Sequence, residues 1–265
     1  MVLKVGTRAR AALSALVVLA AACGGGDDVG DAAGSTADVT TTVTTTVTTT
    51  TMAATTTAGP PSTTAAPAEA PATTQAPAAP TGPRCVVNLH GKGGGGSATK
   101  TAADGTKTLY PAGNASGWGG RQWLYFPDSS YQAARAVVSA AIEAEACGRV
   151  IVYGFSNGAA FSAKLYCRGE TFGRRLVRVV VDDPVTDHGA DRCSPARGVP
   201  VTLYWTGALA GQAPAGWNCA SADWTCEGGT SVGIDAYQAN LGVTRKQSPN
   251  SSHAPYDNAP ELSAW

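Results

Sequence analysis

The sequence predicts an α/β domain over residues 84–265, a three-layer sandwich on a mostly parallel sheet. Three observations predict it. Short, almost continuous apolar runs recur at residues 85–89, 150–153, 176–181 and 199–205, as strands buried on both faces require. Between the first two runs, Ala133, Ala134, Val137, Val138, Ala141 and Ile142 recur at helical spacing. Strands that alternate with helices pair in parallel, because the helix carries the chain back to the starting end of the sheet.

The first third of the 265 residues does not have the composition of a packed core. Lys4, Arg8 and Arg10 precede an apolar run at 11–22 that ends in small residues. That is an export signal, too short to span a bilayer. Cys23 and the glycines after it resemble a bacterial lipoprotein signal, although Ala20 stands where such signals usually carry leucine. The resemblance implies lipidation of Cys23 and a membrane anchor that does not span. Ordinary cleavage after Ala22 is the alternative, and both export the protein. Residues 23–83 are almost wholly Thr, Ala, Pro, Gly and Ser. Lacking large apolar groups to offset ordering entropy, they read as an extended stalk.

Each element of the domain follows from local signals. The run at 85–89 is a strand that enters the loop His90-Gly91-Lys92-Gly93, and 108–110 is a second strand before Pro111. Residues 114–123 are rich in Gly and Trp and read as irregular. Asp128 offers an N-cap for a helix that ends at Gly148. Strand 150–153 leads into a turn and a second helix that runs to about Cys167, with Gly169 as a stop signal. Strand 176–181 closes on Asp182-Asp183-Pro184, and 199–205 is a further strand. A long cysteine-bearing loop at 208–233 precedes a helix at 234–241, a strand at 243–247 and a short helix from Ala259.

Charge and cysteine usage exclude several functions. Lys plus Arg and Asp plus Glu both number 19, and no basic stripe points to nucleic acid. Besides Cys23 there are six cysteines: Cys85, Cys147, Cys167, Cys193, Cys219 and Cys226. An even count in an exported domain reads as three disulfides, with the connectivity open on count alone. No C-x-x-C pair occurs and the histidines lie apart from the cysteines, so no metal or other cofactor is expected.

The chemistry centres on Gly154-Phe155-Ser156-Asn157-Gly158, a G-x-S-x-G between strand and helix. It resembles the nucleophile elbow of α/β-hydrolases, where a tight turn exposes the serine hydroxyl. The two glycines let strand and helix approach closely. Such a serine needs a base, an acid to orient the base, and donors for the oxyanion. In this fold the order is serine, acid, histidine. His253 is therefore the base, while His90 shapes the glycine loop and His188 sits in a solvated turn among Asp187, Asp191 and Arg192. One oxyanion donor is the N–H of Asn157, and the other is that of Lys92 or Gly93. A phosphate cradle fails on spacing, since glycine follows Lys92. Two acids stay open: Asp183, at a place that resembles the acid position of pancreatic-type lipases, and Asp223.

The pattern Cys219-x-x-x-Asp223-x-x-Cys226 resembles the acid loop of cutinases, small extracellular ester hydrolases. Cys85 and Cys147 stand where that family pairs a cysteine before the first core strand with one before the elbow strand. The resemblance implies Asp223 as the acid. It frames the pairing Cys85–Cys147, Cys167–Cys193 and Cys219–Cys226. The chain departs from the family in its His-Gly-Lys-Gly loop. Its elbow is closer to those of polyhydroxybutyrate depolymerase-like and feruloyl esterase-like proteins. Trp118, Trp123, Trp205, Trp217 and Trp224 are candidates to line an apolar acyl site. The expectation is a monomeric serine esterase of the cell envelope, acting on carboxylic esters that include polymers or lipids. An acyltransferase on the same scaffold and a non-catalytic binding protein are the alternatives.

Overall fold

The computed structural model describes residues 80–208 and 214–265. The expected export signal, Cys23 and the expected stalk up to residue 79 lie outside the described residues. The domain is a three-layer α/β sandwich. Its seven-stranded sheet is built from β1 (Arg84–Leu89), β2 (Ser97–Thr101), β3 (Lys107–Tyr110), β6 (Arg149–Phe155), β7 (Leu176–Asp182), β8 (Val201–Trp205) and β9 (Lys246–Gln247). The spatial order is β2-β3-β1-β6-β7-β8-β9. Every neighbouring pair is parallel except β2 with β3. A separate hairpin joins β4 (Ala115–Gly117) to β5 (Gly120–Gln122).

Period-two alternation divides the sheet residues between two faces. Val87, Leu89, Val150, Val152, Val179, Val181 and Leu203 share one core with α1 (Asp128–Ala144), α2 (Asn157–Cys167) and α3 (Ile234–Leu241). Val86, Ile151, Tyr153, Val180 and Tyr204 form the other, under Ala259, Leu262 and Trp265. The third layer is thus the C-terminal segment with its 3-10 helix, Pro260–Ser263.

Several local expectations change. Pro127, not Asp128, occupies the N-cap of α1; Asp128 lies in the first turn, where a negative charge still complements the helix dipole. The irregular stretch at 114–123 contains the β4–β5 hairpin. Its turn residues Trp118 and Gly119 both have positive φ, 46° and 78°, as a type I′ turn requires, and the bulky Trp118 hid that signal. β2 carries no apolar run, because it is an exposed edge strand. The strand at 243–247 shortens to two residues.

Three disulfides join Cys85 to Cys147, Cys167 to Cys193 and Cys219 to Cys226, the pairing framed above. Disulfides persist in oxidising compartments, which suggests an extracellular or exported protein. No helix among the described residues is long and apolar enough to cross a membrane.

A buried polar network holds the loop after β7 under α2. Asp187 is fully buried and accepts from Tyr125 Oη at 2.5 Å, Gly189 N at 3.0 Å and Glu227 N at 2.6 Å. Lys164, on α2, donates to Glu227 Oε2 at 2.6 Å and to the Tyr125 carbonyl at 2.8 Å. Burial pushes the Asp187 carboxyl up to about 6.

Two predictions follow from this packing. A Cβ at position 158 would lie 2.1 Å from the Leu89 carbonyl oxygen. Gly158→Ala therefore costs about 2 kcal/mol or more in chemical denaturation, and an unchanged midpoint would refute the close approach. For Asp187 the folded carboxyl lies above its unfolded value, so its stabilising contribution is present below about pH 4 and lost as pH rises through 6. The stability difference between wild type and Asp187→Asn should shrink by about 2 kcal/mol from pH 4 to pH 7. A difference independent of pH would contradict this.

Candidate active site

The nucleophile candidate sits where β6 becomes α2. Ser156 has φ 56° and ψ −117°, a backbone conformation that a side chain adopts only when its surroundings hold it there. Two glycines allow the turn. A Cβ on Gly154 would meet the Gly158 carbonyl at 2.2 Å, and the clash of Gly158 with Leu89 is described above. The Ser156 N–H donates to the Asp182 carbonyl at 3.0 Å, which ties the turn to the neighbouring strand.

Asn157 is the first residue of α2, so its N–H has no acceptor within the helix. Its side chain is occupied elsewhere. Oδ1 accepts from Trp123 N at 2.7 Å and Nδ2 donates to Trp123 O at 3.1 Å, pinning the helix start to the segment after β5.

The glycine loop lies beside the turn, since a Cβ on Gly91 would stand 3.2 Å from the Ser156 Cβ. His90 shapes this loop as expected. Its Nδ1 meets the Gly91 carbonyl at 2.7 Å and its Nε2 accepts from Gly113 N at 3.0 Å. One neutral tautomer makes both bonds, and burial lowers its pKa accordingly. The Gly93 N–H, one of the two candidate loop donors, is engaged elsewhere. It donates to the Arg121 carbonyl at 2.9 Å, and Arg121 N donates back to Gly94 O at 2.7 Å. Lys92 N–H has no protein acceptor among the described residues, so of the two loop donors it is the one left.

Of the two candidate acids, Asp183 is the one bonded to the histidine. His253 Nδ1 meets Asp183 Oδ2 at 2.6 Å. Asp183 is fully buried and accepts further from Thr206 N at 3.0 Å and Thr206 Oγ1 at 2.7 Å. Asp223 has other partners. Trp118 Nε1 donates to its Oδ2 at 2.8 Å, and Lys92 Nζ lies 2.5 Å from its carbonyl oxygen and 3.5 Å from Oδ1. The Trp118 bond, and then the Lys92 charge, hold its carboxyl below the usual range. Its side chain is 82% exposed. The disulfide does close the loop as the cutinase pattern implies, but here it turns Asp223 toward the glycine loop and not toward the base.

Ser156 and His253 line one cleft of about 250 Å³ together with Asn157, Lys92, Val185, Trp118 and Trp224. The His253 ring packs against Phe155, with centroids 4.5 Å apart. With Nδ1 on Asp183, Nε2 is the nitrogen left for chemistry. Of the five candidate tryptophans, Trp118 and Trp224 reach the cleft, edge to face at 6.0 Å, and Trp217 backs Trp224. Trp123 and Trp205 are core residues. His188 bonds Asp191 and Thr230, as a structural turn residue does.

Sequence reasoning missed Thr206. It follows β8 and carries no carboxylate, yet its N–H and hydroxyl both donate to Asp183.

No family model matches the chain, and no curated protein does. Among solved structures, the chain is similar to a carboxylesterase from Mesorhizobium loti (14% identity, 68% of this chain and 85% of that one, TM-score 0.39). It is similar also to the Bacillus cereus carboxylesterase (15% identity, 69% and 85%, TM-score 0.42). An alpha-beta hydrolase from Vibrio vulnificus aligns at 17% identity over 64% of this chain and 67% of that one, with a TM-score of 0.35.

Thr206→Val removes the hydroxyl that donates to a fully buried carboxylate. It should cost about 1–3 kcal/mol in denaturant unfolding. Wild-type stability in that variant would mean that the bond to Asp183 is not formed in solution.

Proposed function

We propose that the chain is an exported serine esterase in which Ser156, His253 and Asp183 form the catalytic triad. One observation carries the reading: the 2.6 Å bond between Asp183 and a histidine that shares its cleft with the serine of a strand-to-helix turn. In the proposed reaction His253 Nε2 takes the proton of Ser156 Oγ as the oxygen attacks the ester carbonyl carbon. Negative charge gathers on the carbonyl oxygen, facing the N–H groups of Asn157 and Lys92. Each such donor is worth about 2.7–4 kcal/mol in the transition state. Asp183 keeps the Nδ1–H tautomer and stabilises the imidazolium. His253 then returns the proton to the leaving alcohol, and water, deprotonated by the same base, hydrolyses the acyl-enzyme.

The substrate class rests on the cleft. Two indoles and Val185 wall it, which suits an apolar acyl or alcohol group on an ester, in a lipid or a polymer among others. Three disulfides support export. Anchoring through a lipid on Cys23 belongs to the same proposal and rests on the sequence signal alone.

The test is hydrolysis of short p-nitrophenyl esters and labelling by a fluorophosphonate. Ser156→Ala should abolish both, and undiminished turnover would overturn the reading. Asp183→Asn should lower kcat by about 10³–10⁴-fold, while Asp223→Asn stays within about tenfold because its contacts to Lys92 and Trp118 are exposed. The reverse ranking would return the acid to Asp223.

A further inference from the structure

We propose that Asp182 is a positioning residue whose carboxylate holds the His253 loop in place while its carbonyl holds the Ser156 turn. The inference rests on the serine-esterase reading above and adds a residue that the triad does not include.

β7 ends in two consecutive carboxylates, both fully buried. Asp183 grips the imidazole. Asp182 is on the sheet face of Val180, under the C-terminal layer. Its Oδ2 accepts from Tyr153 Oη at 2.7 Å and from Tyr256 N at 2.7 Å. Tyr256 lies three residues after His253. Between them the chain is held from its other side, where Asn250 Nδ2 donates to the carbonyls of Ala254 at 2.8 Å and Pro255 at 3.1 Å. The loop therefore hangs from Asp182 at one end and is closed on itself by Asn250 at the other. The main chain of the same residue receives Ser156 N–H. One position on β7 thus fixes the backbone on both sides of the serine–histidine pair.

A carboxylate is a costly way to make such a link. A buried charge without a cation is disfavoured, and burial raises the Asp182 pKa. Its Oδ1 has no hydrogen-bond partner among the described residues. A well-packed apolar residue at this strand position would avoid that cost. What the apolar residue would lack is an acceptor for the Tyr256 N–H. The structure therefore ties the presence of Asp182 to the loop it holds, and misplacing a reacting group by about 1 Å can cost on the order of 10²-fold in rate.

Both hydrogen bonds fall on Oδ2, so an amide oxygen can replace it, with the amide nitrogen in the place of the unpartnered Oδ1. Asp182→Asn keeps the link without the charge, whereas Asp182→Leu keeps the packing without the link. Steady-state hydrolysis of a short p-nitrophenyl ester is compared for wild type, Ser156→Ala, Asp182→Asn, Asp182→Leu and Tyr153→Phe, with thermal unfolding of each. Asp182→Leu should lower kcat by about 10- to 100-fold with KM within about twofold. Asp182→Asn should stay within about threefold of wild type, a rescue that a purely electrostatic role would not give. Tyr153→Phe loses stability but leaves the Tyr256 bond, so its kcat should also stay within about threefold. Full kcat in Asp182→Leu, or an Asn variant as slow as the Leu variant, overturns the proposal. So does a rise in KM at constant kcat. If Asp182→Leu does not fold, a tenfold loss of kcat in Tyr153→Phe overturns it equally, because packing and not the loop link would then set the rate. An active Ser156→Ala would instead overturn the esterase reading, which keeps the two failures apart.

Discussion

The passage of α2 across the ends of β1 and β6 is the constraint on which the rest of the site depends. It is possible because two Cβ atoms are absent, at Gly154 and Gly158, where each would stand about 2 Å from a carbonyl oxygen. Such contact brings the α2 N-terminus, with its free N–H groups, against the end of β1. The glycine loop leaves β1 at that point, so Gly91 lies against Ser156 and Lys92 and Asn157 line the same cleft as the serine. The strained Ser156 backbone is sustained by this packing and by the bond from its N–H to Asp182 O. A helix N-terminus is electrostatically suited to negative charge.

Around the turn the protein spends buried polar groups on loops that sheet packing does not reach. Asp182, Asp183 and Asp187 come from six consecutive residues and are all fully buried. Each accepts hydrogen bonds from a different part of the chain: Tyr256 and Tyr153, His253 and Thr206, or Tyr125 and Glu227. Parallel strands end together at one edge of the sheet, so one strand end can serve several loops at once. The carboxylates act as acceptors for main-chain donors that regular structure leaves unpaired, which is what makes burying them tolerable.

On the opposite rim the cleft is closed by side chains from three loops. Lys92 lies 4.8 Å from the Trp118 ring centroid and donates to Asp223, which also receives the Trp118 N–H. The Cys219–Cys226 disulfide limits how far the Asp223 loop can move. Exposed ion pairs of this kind are weak one at a time; here a covalent link, an indole bond and a cation–π contact act on the same few residues. In this arrangement Asp223 bonds Trp118 and Lys92, while the histidine is bonded to Asp183.

Much of the domain was legible in local sequence. The strand–G-x-S-x-G–helix context identified the turn at Ser156, and apolar runs with helical spacing between them gave the parallel sheet. His253 was the one histidine late enough in the chain to serve as base. These signals are short-range: they depend on backbone conformation, on periodicity and on the missing Cβ of glycine. What the sequence could not decide was which side chains meet across loops. Asp183 and Asp223 were both credible acids, since each follows a pattern some hydrolase uses, and only the paths of residues 183–184 and 251–256 bring one of them to the base. Gly93 was equally credible as a donor until the β4–β5 hairpin, invisible behind Trp118, claimed its N–H. Thr206 and Asp182 had no motif at all, because their roles exist only where strand ends converge. The sequence by itself determined the turn and the chemistry available there. The tertiary structure decided which carboxylate bonds the histidine, which loop N–H already has an acceptor and which carboxylate bonds the chain after the histidine, because hydrogen bonds between residues dozens of positions apart are set by three-dimensional proximity and leave no periodic trace.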